Sequence, residues 1–197
     1  MLLVMRTLAD PIGLVPRLLA ALALVIAFSA APAQADEFTN NEALDRLFAE
    51  LKAAPDPVTA NQIDQQIWFY WMTPEDPILR GRMNEVIAAR RMGDPVEAIL
   101  LLDRLIVDYP GYAEAWNQRA TMYYAIGNFE ASIADCEKVL ELEPRHFGAL
   151  SGRATMYLLQ GKRALALKDM AAAVAVHPFI SGRELFPELD PGQMVRI

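Results

Sequence analysis

Two arginines and two aspartates in this chain share one spacing. The interval from Arg119 to Asp135 is repeated from Arg153 to Asp169. A guanidinium fork and a carboxylate can make a bidentate pair. Partly buried, such a pair holds structure and does no acid–base work. His146 and His177 are the only histidines. Each lies beside a proline, Pro144 or Pro178, and neither has a second ligand at metal-site spacing. Cys136 is the only cysteine, so an internal disulfide or a thiolate metal site cannot be assembled. Placed on the core face of a helix, its thiol packs as a small inert group. The chain has no nucleophile elbow, no glycine-rich phosphate loop and no HExxH. These residues argue against an enzyme and require neither cofactor nor metal.

The elements around these residues repeat. Gly93, Gly127 and Gly161 are evenly spaced, and Pro110, Pro144 and Pro178 keep the same interval. The string RATMY occurs at Arg119–Tyr123 and again, one interval on, at Arg153–Tyr157. A period of about 34 residues predicts an all-α fold, an α-solenoid of antiparallel helix pairs. The central copy, 113–146, has Trp116 opening its first helix, small Ala120 at a close crossing, and Tyr123 one turn later. Gly127 supplies the turn, Phe129 packs over it, Ser132 and Cys136 fill the second helix, and Pro144 ends it. The copy at 147–180 keeps Ala154, Tyr157, Gly161, Ala166, Ala173 and Pro178. The weaker copy at 79–112 keeps Gly93, Ala98, Leu102 and Pro110. On these residues the chain resembles tetratricopeptide repeat (TPR) proteins, of the small exported bacterial type. The departures are Arg119, Ser132, Cys136 and Val139 in the central copy, Leu150 in the third, and Val86 and Ala89 in the first.

The resemblance implies a right-handed superhelix whose first helices line a concave groove that binds a peptide or protein partner. Carried onto this chain, the groove residues are Arg90, Arg91, Asn117, Thr121, Tyr124, Ser151, Thr155 and Leu158. Asn117 would bond the backbone of an extended peptide, Tyr124 would stack on its side chains, and the two arginines would hold an acidic group. The basic and asparagine clamp that some members use for a terminal carboxylate is missing, because Met83 and Ile87 stand in its place. The resemblance therefore implies a non-catalytic protein–protein interaction scaffold of the cell envelope. The competing reading is a small-ligand or carrier protein built on Trp68-Phe69-Tyr70-Trp71 as an aromatic platform, with Arg90 and Arg91. Helical spacing favours a plainer role, in which these rings cover the exposed apolar face of the first full repeat.

The flanks are addressed differently. Residues 1–35 have Arg6 and Arg17 before an apolar run, Leu18–Ala30, of 13 residues. As a helix that run spans about 20 Å, short of the roughly 30 Å bilayer core. Ala33 and Ala35 suit signal peptidase, so cleavage is expected after Ala35, with release into the periplasm or the medium and no stable membrane span afterwards. The rest of the chain then has 16 basic and 24 acidic residues, a net charge of −8. That balance disfavours nucleic acid and anionic lipid as partners. Residues 36–78 predict a divergent helical hairpin acting as an N-terminal cap. A helix starts at Thr39-Asn40-Asn41, Pro55-Asp56-Pro57 breaks it, and a second runs from about Val58 to Met72 with Ile63, Ile67 and Trp71 inward. The tail, 181–197, either folds back through Phe179, Ile180, Leu185 and Phe186 or stays irregular at Pro187 and Pro191. Unless it covers Ala171–Val176, a second copy would, which gives a homodimer through this end.

Overall fold

The computed structural model describes residues 40–190. The expected signal segment, its cleavage point and the last seven residues lie outside the described part. Among the described residues the regular structure is entirely helical. The helices are α1 (Asn41–Lys52), α2 (Pro57–Met72), α3 (Pro77–Arg91), α4 (Pro95–Asp108), α5 (Ala113–Ala125), α6 (Phe129–Leu142), α7 (Phe147–Leu159) and α8 (Arg163–Val176). None of them is long and apolar enough to cross a membrane.

Local chemistry sets most of the starts. Asn40, Asp56, Asp76, Asp94 and Asn128 each accept a backbone N–H from the first turn of the helix they precede. Losing one such cap costs about 1 kcal/mol. Pro57, Pro77 and Pro95 occupy first helical positions, where no N–H is needed. The stops between paired helices are three equivalent corners. Gly93, Gly127 and Gly161 adopt φ of 72°, 79° and 71°. The next N–H reaches back to the same place each time: Asp94 to the Ala89 carbonyl, Asn128 to Tyr123 and Lys162 to Tyr157. A side chain at these glycines would meet the left-handed penalty that ordinary residues carry.

Packing then follows chain order. α3 through α8 each lie against the next helix, so the pairs stack as an α-solenoid. Small residues permit the close crossings, with Ala98, Ala120, Ala154 and Ala166 all buried. Ser132 is tolerated among them because its hydroxyl donates to the Ala120 carbonyl at 2.7 Å. Trp116 bridges the apolar clusters of the first and second pairs, and Leu140 bridges those of the second and third. A core shared across units is what lets hairpins that bury little surface alone stand together.

The N-terminal hairpin corrects one expectation. Trp68 and Trp71 do not cover the first full repeat. They pack on Phe147 at the head of α7, with ring centroids 5.8 Å and 5.2 Å away. α1 lies against α8, and its Phe48 meets Phe147 edge-on. Gly148 makes the docking possible: a Cβ there would stand 2.8 Å from the Trp68 ring. The hairpin is pinned by Arg145, which pairs with Asp45 of α1 and with Glu143, its guanidinium lying 4.3 Å over the Phe48 ring. The tail folds back. Short 3-10 turns at Arg183–Leu185 and Pro187–Leu189 press buried Phe186 onto the cluster of Leu150, Met170 and Ala173. The apolar side of α8 is therefore covered by the chain's own tail and α1, which removes the reason given for a covering second copy.

Candidate functional site

A buried polar line runs from α3 to α7 under the hairpin. Glu114, in the first turn of α5, has no exposed surface. Its carboxylate accepts from Asn117 Nδ2 at 3.2 Å, from Gln118 Nε2 and from His146 Nε2 at 3.1 Å. The His146 tautomer follows from its other nitrogen. Nδ1 accepts the Ala149 N–H at 3.1 Å and so caps α7, which leaves the ring proton on Nε2 to donate to Glu114. Trp71 lies flat on the imidazole, centroids 3.9 Å apart and planes within 5°. At the far end Gln118 Oε1 accepts from Arg90, and the Tyr112 hydroxyl donates to the Trp71 carbonyl. Each member serves another, so this is framework rather than a reactive site. Lone spacing made His146 look isolated. Its partner, Glu114, stands at the opposite end of the same repeat.

The arginine–aspartate pairs predicted from their common interval form. Arg153 grips Asp169 through Nε and Nη2 at 2.6 and 2.9 Å. Arg119 grips Asp135 in the same way and extends Nη1 to Asp103 of α4 at 2.7 Å, so it joins two repeats. The hydrogen bonds to Asp135 hold the Arg119 guanidinium protonated well above its ordinary range. Burial pushes the Cys136 thiol up to about 12, out of reach of thiolate chemistry at neutral pH.

The eight expected groove residues separate into four places. Asn117, Thr121, Tyr124 and Thr155 line one cavity of about 290 Å³ between α5 and α7, floored by Cys136 and Met156 and edged by Gly148 and Gly152. Arg90 and Arg91 lie apart with Ile87 and Met122, and Arg90 is already bonded to Gln118, so the acid-holding role expected of the pair loses one member. Ser151 faces a separate cavity beside Trp68, and Leu158 packs with the α7–α8 core. The polar roles shift as well. The amide N–H groups of Asn117 go to Glu114, which leaves Oδ1 as its free capacity. The Thr121 and Thr155 hydroxyls donate to carbonyls one turn back, Asn117 and Ser151. The cavity is therefore mostly an apolar wall.

The family model described as tetratricopeptide repeat matches residues 113–146. A TPR repeat-containing protein of Rhizobium etli is 37% identical over 135 residues, covering 68% of this chain and 66% of that relative. The chain belongs to the tetratricopeptide repeat family. Sperm-associated antigen 1 of Rattus norvegicus is 34% identical over 99 residues, half of this chain and 11% of that protein. A PEX5-related protein of the same species is 28% identical over 109 residues, 55% of this chain and 18% of its own length. As a tetratricopeptide repeat array, the chain has an internal asymmetry. The positions of Glu114 and Gln118 in the second repeat are taken by Gly148 and Gly152 in the third. The first glycine seats Trp68. At Gly152 a Cβ would meet nothing within 4 Å, so that glycine leaves the cavity wide. This pair of substitutions, visible in the repeat alignment, was the signal that the inner face is not uniform.

Proposed function

We propose that this chain is a non-catalytic interaction module that takes a short, apolar-rich segment of a partner protein into the cavity between α5 and α7. The observation that carries the reading is the cavity itself. It is side-chain-sized, walled by Ala120, Tyr124 and Met156, and held open by a glycine where the neighbouring repeat has Gln118. At about 290 Å³ it is at the small end of ligand pockets, so it suits a segment and not a folded surface. Trp68 of α2 packs on Phe147 and against Gly148, which closes one edge of the cavity at the start of α7. Family membership supports a protein partner in the same direction. The Cys136 thiol on the cavity floor is pushed up to about 12 by burial, which supports binding without chemistry. Export to the envelope is part of the reading and rests on Arg6, Arg17, the Leu18–Ala30 run and Ala33–Ala35 alone. N-terminal sequencing of the protein from its native cell, starting at Asp36, would agree with it.

The test of the site is photo-crosslinking in the native cell. A photoreactive residue in place of Thr155 should trap one defined partner that the same residue at exposed Glu137 of α6 does not. Filling the cavity with Gly152→Leu should abolish that product. An equal yield from both positions, undiminished by Gly152→Leu, would contradict the proposal.

A further inference from the structure

A second cavity, of about 410 Å³, lies between α2, the head of α7 and the turn after α8. It shares Gly148 with the first cavity, and its other lining residues lie outside that cavity. Trp68, Phe147 and Phe179 give it aromatic walls, and Asp64 and His177 line it with polar atoms. Both of those side chains are incomplete. Asp64 Oδ1 and His177 Nδ1 are buried and make no hydrogen bond. His177 is only 6% exposed, its ring edge-on to Phe147 at 5.2 Å. A buried polar atom left without a partner costs about 1–3 kcal/mol. Both atoms belong to residues that line one cavity, so a donor brought there by a ligand is the candidate partner.

The sign of the ligand follows from the charges. Burial raises the Asp64 carboxyl above its usual range, and the opposing influence is a hydrogen bond from Trp68, a neutral group. No ion pair to Asp64 forms among the described residues, so the carboxyl has no counter-charge. Burial also lowers the His177 pKa, which favours the neutral imidazole, and in the tautomer with its proton on Nε2 the orphaned Nδ1 accepts. An ammonium group has three donors, enough for both orphaned atoms, and a cation is favoured over aromatic faces. An alcohol offers one donor, and a carboxylate is repelled.

We propose that this cavity binds a primary ammonium group on an alkyl chain, with the nitrogen at Asp64 and His177 and the chain along Trp68, Phe147 and Phe179. The charge is opposite to the one the arginine-based small-ligand reading required. The ammonium can come from a free alkylamine or from a lysine side chain.

The test follows the Trp68 indole N–H by NMR while the protein is titrated with n-butylammonium, n-butanol or butyrate at constant ionic strength. A saturable shift with n-butylammonium alone is expected, weakened at least tenfold in Asp64→Asn. An equal response to n-butanol, no saturable shift, or unchanged binding in a folded Asp64→Asn would overturn the proposal. If Asp64→Asn fails to fold, the comparison of amine with alcohol on the unaltered protein still decides. A blocked Gly-Lys-Gly peptide and its norleucine counterpart separate the sources. Preference for the lysine peptide over n-butylammonium assigns the cavity to a partner's side chain, and the reverse assigns it to a free amine. This result is independent of crosslinking at Thr155, so either proposal can fail alone.

Discussion

Arg119 carries two carboxylates from two different helices, and its neighbours leave it little water. Its own side chain is 17% exposed and that of Asp135 is 6% exposed. Truncation to alanine would leave Asp135 buried without its partner, a loss of about 3 kcal/mol in a buried pair. Urea unfolding of Arg119→Ala should therefore show a midpoint well below that of the unaltered protein. A change within error would place the pair among screened surface contacts. His177 makes the second residue-scale prediction. Its folded-state pKa is lowered from the ordinary 6.5 by burial, so below that pH the unfolded chain binds the extra proton. The stability its neutral form contributes is complete above the unfolded pKa and declines as pH falls through it. Urea midpoints should drop from about pH 7.5 to about pH 5.5, and less steeply in His177→Gln. Asp64 acts in the opposite sense, since burial raises its folded pKa.

Among the second helices of the repeats, α8 is the one that starts without a side-chain cap. The equivalent positions before the second helix of each repeat are Asp94, Asn128 and Lys162. The first two accept a hydrogen bond from their helix, whereas Lys162 makes no such bond and puts a positive charge at the N-terminal end of the helix dipole. Lys162→Asp should raise stability by about 1 kcal/mol in thermal or urea unfolding. No gain would mean that the α8 start is held by packing alone. Helices and corners were legible in the sequence because their causes are local. Asn40, Asp56, the prolines and the three glycines act within a few residues of themselves, and a constant period makes each copy corroborate the next. The pairing of Arg119 and Arg153 with aspartates was legible for the same reason. That Arg119 also takes Asp103 was not, because Glu137 replaces the matching aspartate in the next copy and the pattern is broken there.

At the scale of the whole described chain, the arrangement that shapes the proposed site is the N-terminal hairpin lying over the third repeat. Nothing periodic encodes it. The contact of Trp68 with Gly148 and that of Asp45 with Arg145 join parts of the chain far apart in sequence, outside any repeat register. Spacing on α2 correctly put Ile63, Ile67 and Trp71 inward, but it could not say which repeat they would meet. Half of the expected groove residues come together at one cavity, because a shared register puts Asn117, Thr121, Tyr124 and Thr155 on facing helices. Arg90 is diverted by Gln118, a non-local hydrogen bond that residue type does not announce. The most direct test of this arrangement is a paired measurement of thermal unfolding in two glycine variants. In Gly81→Ala, on α3, the new methyl meets nothing within 4 Å, and the helix should gain about 0.5–1 kcal/mol. In Gly148→Ala the same methyl would press on the Trp68 ring, and the protein should lose about 1–3 kcal/mol. Opposite shifts in the unfolding temperature are the expected result, and a stabilised Gly148→Ala would contradict the docking of the hairpin on the third repeat.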